Sequence, residues 1–287
     1  MELSNIYLTK KTSKRGTLPI IKIENCSGSL EVSPFGATIL SWRPAGKDDV
    51  LWLSPTSPWG DGPVRGGVPV CFPWFGPNRE HSDWPLHGFI RDKIWDVDSI
   101  NSSESSTTLT MSIDSSRIEN MFGYGDFKVS LEITLAKTLS VKFNVTNTGK
   151  EDFSFENGLH TYFSTCPQEA VFRSFDGGKY YDKVNNFKEC RQSGDYVFTK
   201  DREAALFFVG APESNTIDIK KGRITVTHDG FRSAVIWSPG EKAGLANPEI
   251  GIGWKDFVCL ESANCIDDKV TIKPGETHSS TMKITLE

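Results

Sequence analysis

The chain has 287 residues, and its 32 Lys and Arg against 37 Asp and Glu give it a net charge of −5. A chain of this length can form one large β domain or two smaller domains with a sizeable core. No excess of basic residues supplies a face for nucleic acid or for an anionic membrane, so we expect neither partner. A local positive pocket for a small anion remains compatible with this charge.

The N-terminal residues MELSNIYLTKKTSKRG contain no apolar segment of the kind found in signal peptides. No run in the chain approaches the roughly 18 apolar residues of a membrane-spanning helix. The six cysteines show no C-x-x-C spacing, which favours reduced thiols over disulfides or a metal site. We therefore expect a cytoplasmic protein.

In chain order, residues 54–63 are predicted to form a structured loop and residues 101–107 an exposed hairpin tip. Apolar and polar residues then alternate along DFKVSLEITL and again along LSVKFNV, and residues 136–138 join the two runs. Alternation with period two is typical of half-buried strands, and the short connection predicts a hairpin.

Two further hairpins are predicted in the last third of the chain. RITVT and SAVIW flank Asp229-Gly230, a pair that favours a tight turn, and VTIKPGETHSSTMKITLE has Pro274-Gly275 near its bend. Helical periodicity is nearly absent, and no repeat or linker divides the chain. The sequence predicts one all-β domain over residues 1–287, with two large packed antiparallel sheets and few short helices.

One stretch combines charges with glycine, proline and aromatic residues. Arg65 opens RGGVPVCFPWFGPN, and His87 and Arg91 belong to HGFIRD shortly after it. Two guanidinium groups converging on one pocket suit a phosphate, whose oxygens match the planar fork. A P-loop motif is absent, and Trp74 or its aromatic neighbours suit the apolar face of a sugar ring.

Two other groups stand out by their surroundings. His160 lies in ENGLHTYFSTC, among apolar and aromatic residues, where a core histidine with satisfied hydrogen bonds is an equally good interpretation. Glu261 interrupts the apolar run of FVCLESANC. Carboxylates are seldom fully buried unless paired or functional, although a strand-end glutamate that reaches solvent is the alternative. His228 and His278 are expected to face solvent.

The motifs RGGVPVCFPWFGPN, LHGFIRD, GLHTYF and FVCLES, in this order, resemble the glucose-6-phosphate 1-epimerase (hexose-6-phosphate mutarotase) family of the galactose-mutarotase-like fold. The resemblance covers roughly residues 30 to 285. It implies a large β-sandwich with a sugar cleft across one face and without a cofactor or metal. The site residues that it implies are His160 as catalytic acid, Glu261 as catalytic base, Arg65 and Arg91 on the phosphate, and Asp201 of TKDREAAL on the sugar hydroxyls. We further expect His87 to make a hydrogen bond to the ring or C1 oxygen, and Trp74 or Phe75 to pack beside the sugar.

The activity implied is interconversion of the α and β anomers of a hexose 6-phosphate, with glucose 6-phosphate favoured, by a monomer. At rest the histidine is expected to be protonated and the glutamate ionised. Leu86 stands where the family usually has a ligand-binding glutamine, so one polar contact is lost. The alternatives are an aldose 1-epimerase for unphosphorylated hexose, or a non-catalytic sugar-phosphate-binding protein on the same fold.

Overall fold

The computed structural model describes residues 5–13 and 16–287. The N-terminal segment used for the targeting prediction thus lies partly outside the described residues. The strands are β1 Asn5–Ser13, β2 Gly16–Asn25, β3 Gly28–Ser33, β4 Thr38–Pro44, β5 Val70–Cys71, β6 Asp96–Ser102, β7 Thr107–Asp114, β8 Phe127–Leu135, β9 Leu139–Asn147, β10 Phe153–Phe155, β11 Asn157–Leu159, β12 Tyr162–Ser164, β13 Val171–Arg173, β14 Lys179–Asp182, β15 Lys188–Arg191, β16 Tyr196–Val197, β17 Ala204–Val209, β18 Ser214–Ile219, β19 Gly222–Asp229, β20 Ser233–Ser238, β21 Phe257–Asn264, β22 Val270–Ile272 and β23 Thr277–Leu286.

Helical structure in the described residues is short. One α-helix, α1, spans Gly240–Ala246, and single turns of 3₁₀ helix occupy Ser115–Arg117, Pro167–Glu169, Lys183–Asn185, Gly251–Lys255 and Ile266–Asp268. None of these segments has the length and apolar character required to cross a bilayer.

Two large sheets dominate the architecture. The nine-stranded sheet has the order β16-β13-β18-β19-β23-β9-β8-β7-β6, and the eight-stranded sheet has the order β15-β14-β17-β20-β21-β11-β5, with β12 also paired to β21. Smaller sheets are formed by β1 to β4 and by β10 with β22. All strand pairs are antiparallel, and the predicted all-β sandwich is confirmed.

Alternation along β8 and β9 explains how the core forms. Every second residue from Phe127 to Leu135, and again from Leu139 to Val145, is buried, while the residues between them are partly exposed. The two strands pair as the predicted hairpin, from Phe127 opposite Asn147 to Leu135 opposite Leu139. Since successive side chains of a strand point to opposite faces, one face of this sheet supplies the core.

The eight-stranded sheet is covered on both faces, and this positions the site. Alternate residues such as Leu206, Ile236 and Leu260 join the main core between the large sheets. Their neighbours in the chain point to the opposite face, where Phe207, Val235 and Cys259 belong to two smaller clusters under the connecting loops. Residues on that second face form the floor of a cleft.

The other two predicted hairpins are wrong. β19 pairs with β18 and β23, whereas β20 pairs with β17 and β21, so the Asp229-Gly230 bend passes from one large sheet to the other. β22 likewise pairs with β10, and β23 joins β9 and β19. The turn residues indicated a bend correctly, but a bend of the same kind also connects strands of two different sheets.

His228 also differs from its expected exposed position. Only 4% of its surface is exposed, and its Nε2 lies 2.8 Å from Oδ1 of Asn215. His278 is half-buried, within 2.8 Å of the Ser280 hydroxyl. Alternation along each strand puts His228 on the same face as the buried Val226 and His278 on the same face as the buried Ser280.

Candidate active site

A small cleft with a free volume of about 90 Å³ lies over the second face of the eight-stranded sheet. Its floor comes from three adjacent strands, with Phe207 opposite Val235 and Val235 opposite Glu261. The residues lining it are Arg65, Phe75, Gly76, Leu86, His87, His160, Lys183, Glu203, Ala205, Phe207, Val235, Trp237 and Glu261.

His160 and Glu261 face each other on this floor. β11 and β12 both pair with β21, with Leu159 opposite Ser262 and Tyr162 opposite Cys259. The same register continued across the gap between β11 and β12 sets His160 against Glu261, and the imidazole Nδ1 lies 3.5 Å from the carboxyl Oε2. The two residues are only 6% and 1% exposed. Within the described residues, neither of these two atoms has a hydrogen-bond partner.

Burial controls the protonation of this pair. Loss of hydration raises the pKa of Glu261 and lowers that of His160, and the positive charges of Arg65 and Arg91 lower the histidine pKa further. A neutral imidazole with a protonated carboxyl holds as many protons as an imidazolium with a carboxylate. Burial therefore disfavours the ionised form of each group, whereas the expected resting ion pair needs both groups ionised.

Aromatic rings hold the imidazole of His160 in place. The Tyr162 ring stacks on it with centroids 4.7 Å apart, the Trp237 ring meets it edge-on at 5.7 Å, and the His87 ring does so at 5.0 Å. The His160 backbone N–H donates to the carbonyl of Pro69 at 2.9 Å. A ring fixed in this way presents its nitrogens in one orientation.

His87 lies in a strained loop that brings its ring to the cleft. Its φ is +64°, and the next residue, Gly88, has φ +80° and packs so closely on the Phe72 carbonyl that an added Cβ would lie 1.8 Å from that oxygen. Only glycine allows this approach. The Gly76 N–H donates to Nδ1 of His87 at 3.0 Å. Since burial also lowers the pKa of His87, the neutral ring carries its proton on Nε2.

The two arginines have different surroundings. Arg65 donates through Nε to the Glu249 carboxylate at 3.1 Å and through a terminal nitrogen to the Tyr162 hydroxyl, also at 3.1 Å. Arg91 is half-buried, and no side-chain hydrogen bond or ion pair holds its guanidinium in the part of the chain described. Burial, followed by the charge of Arg65, lowers the pKa of Arg91. The charges of both arginines reach His87 and His160.

Trp74 and Asp201, like Arg91, are not among the residues that line the cleft. Trp74 is buried, donates its indole N–H to the Pro85 carbonyl at 2.7 Å and packs on Trp84 and Phe89. Its neighbour Phe75 faces the cleft instead. Asp201 is exposed just before β17.

Glu203 and Lys183 line the cleft without having been predicted. Glu203 accepts a hydrogen bond from the Trp237 indole at 3.2 Å. It shares the alternation that places Ala205 and Phe207 on the floor, so extending the strand pattern by one position would have identified it. Lys183 lies in the 3₁₀ turn after β14, where no pattern in the sequence indicates the direction of the side chain.

Comparison with known proteins agrees with this geometry. The sequence model of the family "Aldose 1-epimerase" matches residues 19–285. A protein of Escherichia coli (strain K12) named "Putative glucose-6-phosphate 1-epimerase" is 30% identical over 268 residues, which make up 92% of this chain and 90% of the relative. A relative of the same name from Salmonella typhimurium is 30% identical over 262 residues, covering 89% of this chain and 87% of its own.

Solved structures agree as well. The crystal structure of "a putative mutarotase" from Salmonella typhimurium has a TM-score of 0.87 and 25% sequence identity, covering 97% of this chain and 93% of its own. The resemblance identified from the four motifs is thereby confirmed. The chain belongs to the aldose 1-epimerase family and is a carbohydrate epimerase acting on a small sugar.

Proposed function

We propose that this epimerase interconverts the α and β anomers of hexose 6-phosphates, with glucose 6-phosphate as the preferred substrate. The observation that carries the proposal is the unpaired guanidinium of Arg91, whose charge reaches the same histidine that faces Glu261. Partial burial of a cation without a partner is costly, and an anionic ligand would supply that partner. The names of the relatives from two bacteria support the same substrate class.

The reaction needs a proton donor and a proton acceptor on opposite sides of the anomeric C1–O5 bond. Glu261 removes the proton of the C1 hydroxyl while His160 delivers a proton to the ring oxygen, and the C1–O5 bond breaks to give the open-chain aldehyde. After rotation about C1–C2, the reverse transfers close the ring with the opposite configuration. Each group ends the cycle in the protonation state in which it started.

Substrate binding would also shift His160 and Glu261 toward the protonation states that the reaction needs. The phosphate dianion offsets the charges of Arg65 and Arg91, which lower the pKa of His160 in the empty cleft. Once those charges are balanced, the imidazole becomes the better proton acceptor, and the proton moves from Glu261 to His160. The phosphate thus binds the sugar and also favours the active imidazolium–carboxylate form.

The remaining lining residues suit the sugar itself. Glu203 offers carboxylate oxygens to the hydroxyls, a role expected of Asp201 but better placed here, and His87 offers an Nε2–H donor. Phe75 and Trp237 supply the apolar surfaces against which a pyranose ring packs. Leu86 also lines the cleft and is partly exposed, so no polar contact arises from that position.

The test is NMR magnetisation exchange between anomers of glucose 6-phosphate, galactose 6-phosphate and glucose, each with and without protein. The blank measures spontaneous mutarotation. We expect clear acceleration for a phosphorylated sugar and weak acceleration for glucose. Faster exchange of glucose than of either phosphate ester would favour the unphosphorylated-hexose alternative, and binding without acceleration would favour the non-catalytic alternative.

Glu261→Gln tests the base within the same assay. Gln keeps the shape of the side chain but cannot accept the proton, and general acid–base catalysis contributes about 10²- to 10⁴-fold. We expect a loss of that size with sugar-phosphate binding retained. Exchange at the parent rate in this variant would remove Glu261 from the mechanism.

A further inference from the structure

We propose that His160, Cys259 and Glu261 form a Zn²⁺ site at the floor of the cleft, and that zinc bound there inhibits the enzyme reversibly. One ligand atom of each side chain lies within 4.8 Å of the other two. The proposed binding of zinc is argued from the geometry of the three ligand atoms alone. The inhibition rests on the proposed function, in which His160 and Glu261 transfer the protons.

The strand register places the three ligands together. Cys259 and Glu261 are two residues apart on β21 and so point to the same face. Tyr162 lies opposite Cys259, which leaves His160 beside the carboxyl on the neighbouring strand. The three ligand residues are between 0% and 6% exposed, and the facing atoms Nδ1 and Oε2 have no hydrogen-bond partner among the described residues.

The spacing suits tetrahedral zinc. Ligand distances of about 2.0–2.1 Å for nitrogen and oxygen place those two atoms roughly 3.3 Å apart in a tetrahedron. The observed separation of Nδ1 and Oε2 is 3.5 Å. With sulfur at about 2.3 Å from zinc, its distance to the other two ligands would be about 3.6 Å. Side-chain rotation must therefore shorten its longest separation by about 1 Å at most.

The donor set also favours zinc over the hard divalent cations. A thiolate and an imidazole are ligands for Zn²⁺, whereas Mg²⁺ and Ca²⁺ prefer sets of oxygen atoms. Binding releases the thiol proton of Cys259 and the carboxyl proton of Glu261, and the resulting assembly of Zn²⁺ with two anions and a neutral imidazole carries no net charge. Arg65 is paired with Glu249, but its charge and that of Arg91 still reach His160 and oppose the metal, so the two anionic ligands are needed to offset the charge of Zn²⁺.

Three protein ligands leave a fourth position, which a water molecule or a sugar oxygen would take from the side of the cleft. Zinc bound at this site coordinates His160 and Glu261, the two groups that transfer protons in the proposed reaction. Zinc and turnover are therefore mutually exclusive, and the metal should compete with the substrate.

Binding is tested on the full chain, freed of metal with a chelator and kept reduced with a phosphine. Co²⁺ serves as the optical probe, because a thiolate ligand produces a charge-transfer band and a tetrahedral site produces intense visible bands. We expect both signals, displaced by Zn²⁺, in the parent and in Cys71→Ala, which removes a different buried cysteine. Cys259→Ala should lose the charge-transfer band and bind at least about 100-fold more weakly.

Cys259→Ser is the second variant if the alanine variant is unstable. It should fold, lack the thiolate–Co²⁺ band and bind Zn²⁺ more weakly than the parent. A parent without a thiolate–Co²⁺ band, or a Cys259 variant that binds Co²⁺ as the parent does, would overturn the site.

Inhibition is tested by anomer exchange of glucose 6-phosphate in the same proteins. We expect Zn²⁺ to inhibit the parent and Cys71→Ala, with less inhibition at higher substrate concentration, and to leave Cys259→Ala active. Inhibition that is independent of substrate concentration would overturn the competition. If no sugar is epimerised, the Co²⁺ titration still decides the metal site, so its failure is distinct from failure of the proposed function.

Discussion

Replacing Arg91 with alanine should selectively slow turnover of the phosphorylated sugar. Arg91 has no partner in the described structure, whereas removal of Arg65 would also leave the Glu249 carboxylate and the Tyr162 hydroxyl without their donor. Arg91→Ala therefore isolates the contact with the phosphate. Because Arg65 repels it and burial disfavours its charge, losing this cation should not lower the free energy of unfolding.

The size of the effect follows from the bond that is lost. A hydrogen bond to a charged group contributes about 1.5–3 kcal/mol, and each 1.36 kcal/mol is tenfold in rate. We therefore expect kcat/KM for glucose 6-phosphate to fall between about tenfold and about 150-fold. The same constant for glucose should change by less than about threefold, because glucose carries no group that pairs with this guanidinium.

The assay is NMR magnetisation exchange of glucose 6-phosphate and glucose in parallel, with thermal unfolding as a check on folding. Arg117→Ala is the matched control, since Arg117 is an exposed arginine paired with Asp96 outside the cleft. Equal losses on both sugars would show that Arg91 supports the site as a whole. An unchanged kcat/KM for glucose 6-phosphate would refute the pairing with phosphate.

Glu203→Gln should weaken kcat/KM for glucose and glucose 6-phosphate to a similar extent, because the carboxylate is proposed to contact hydroxyls that both sugars share; a loss confined to one sugar would contradict this role. Inorganic phosphite should accelerate anomer exchange of glucose, because its negative charge offsets the charges of Arg65 and Arg91 that lower the pKa of His160; an absence of acceleration at saturating phosphite would contradict the coupling. Burial lowers the pKa of His228 to about 4, so the folded state binds fewer protons than the unfolded state between about pH 4 and 6.5. The parent should therefore lose about 3 kcal/mol of unfolding free energy from this group as pH falls through that window. In denaturant titrations, His228→Gln should lack this loss and the exposed-site control His81→Gln should keep it; identical pH profiles would refute the assignment.

The fold class and the family could be predicted from local patterns in the chain. Alternation in β8 and β9 is a local property, because the direction of each side chain in a strand follows from its position alone. Glu203 follows the same rule at the start of β17, on the side of Ala205 and Phe207, but that strand was not predicted from the sequence. The ordered motifs around Arg65, His87, His160 and Glu261 identified the family, which the comparisons confirm.

Strand pairing and the contacts between distant side chains could not be predicted in this way. The Asp229-Gly230 turn indicated a bend, but the sheet that the next strand joins depends on contacts with distant strands such as β17 and β21. The direction of Trp74, into an aromatic cluster and away from the cleft, depends in the same way on how its loop packs. Residues far apart in the chain supply these contacts, so no local pattern contains them.

The protonation of the site depends on tertiary structure most directly. His160 and Glu261 meet through the register of β21 with its two short partners, and burial there favours their neutral forms. The pairing of Arg65 with Glu249 and the lack of a partner for Arg91 likewise arise between distant segments. Charge and hydration are properties of the assembled cleft, and the residue types alone do not specify them.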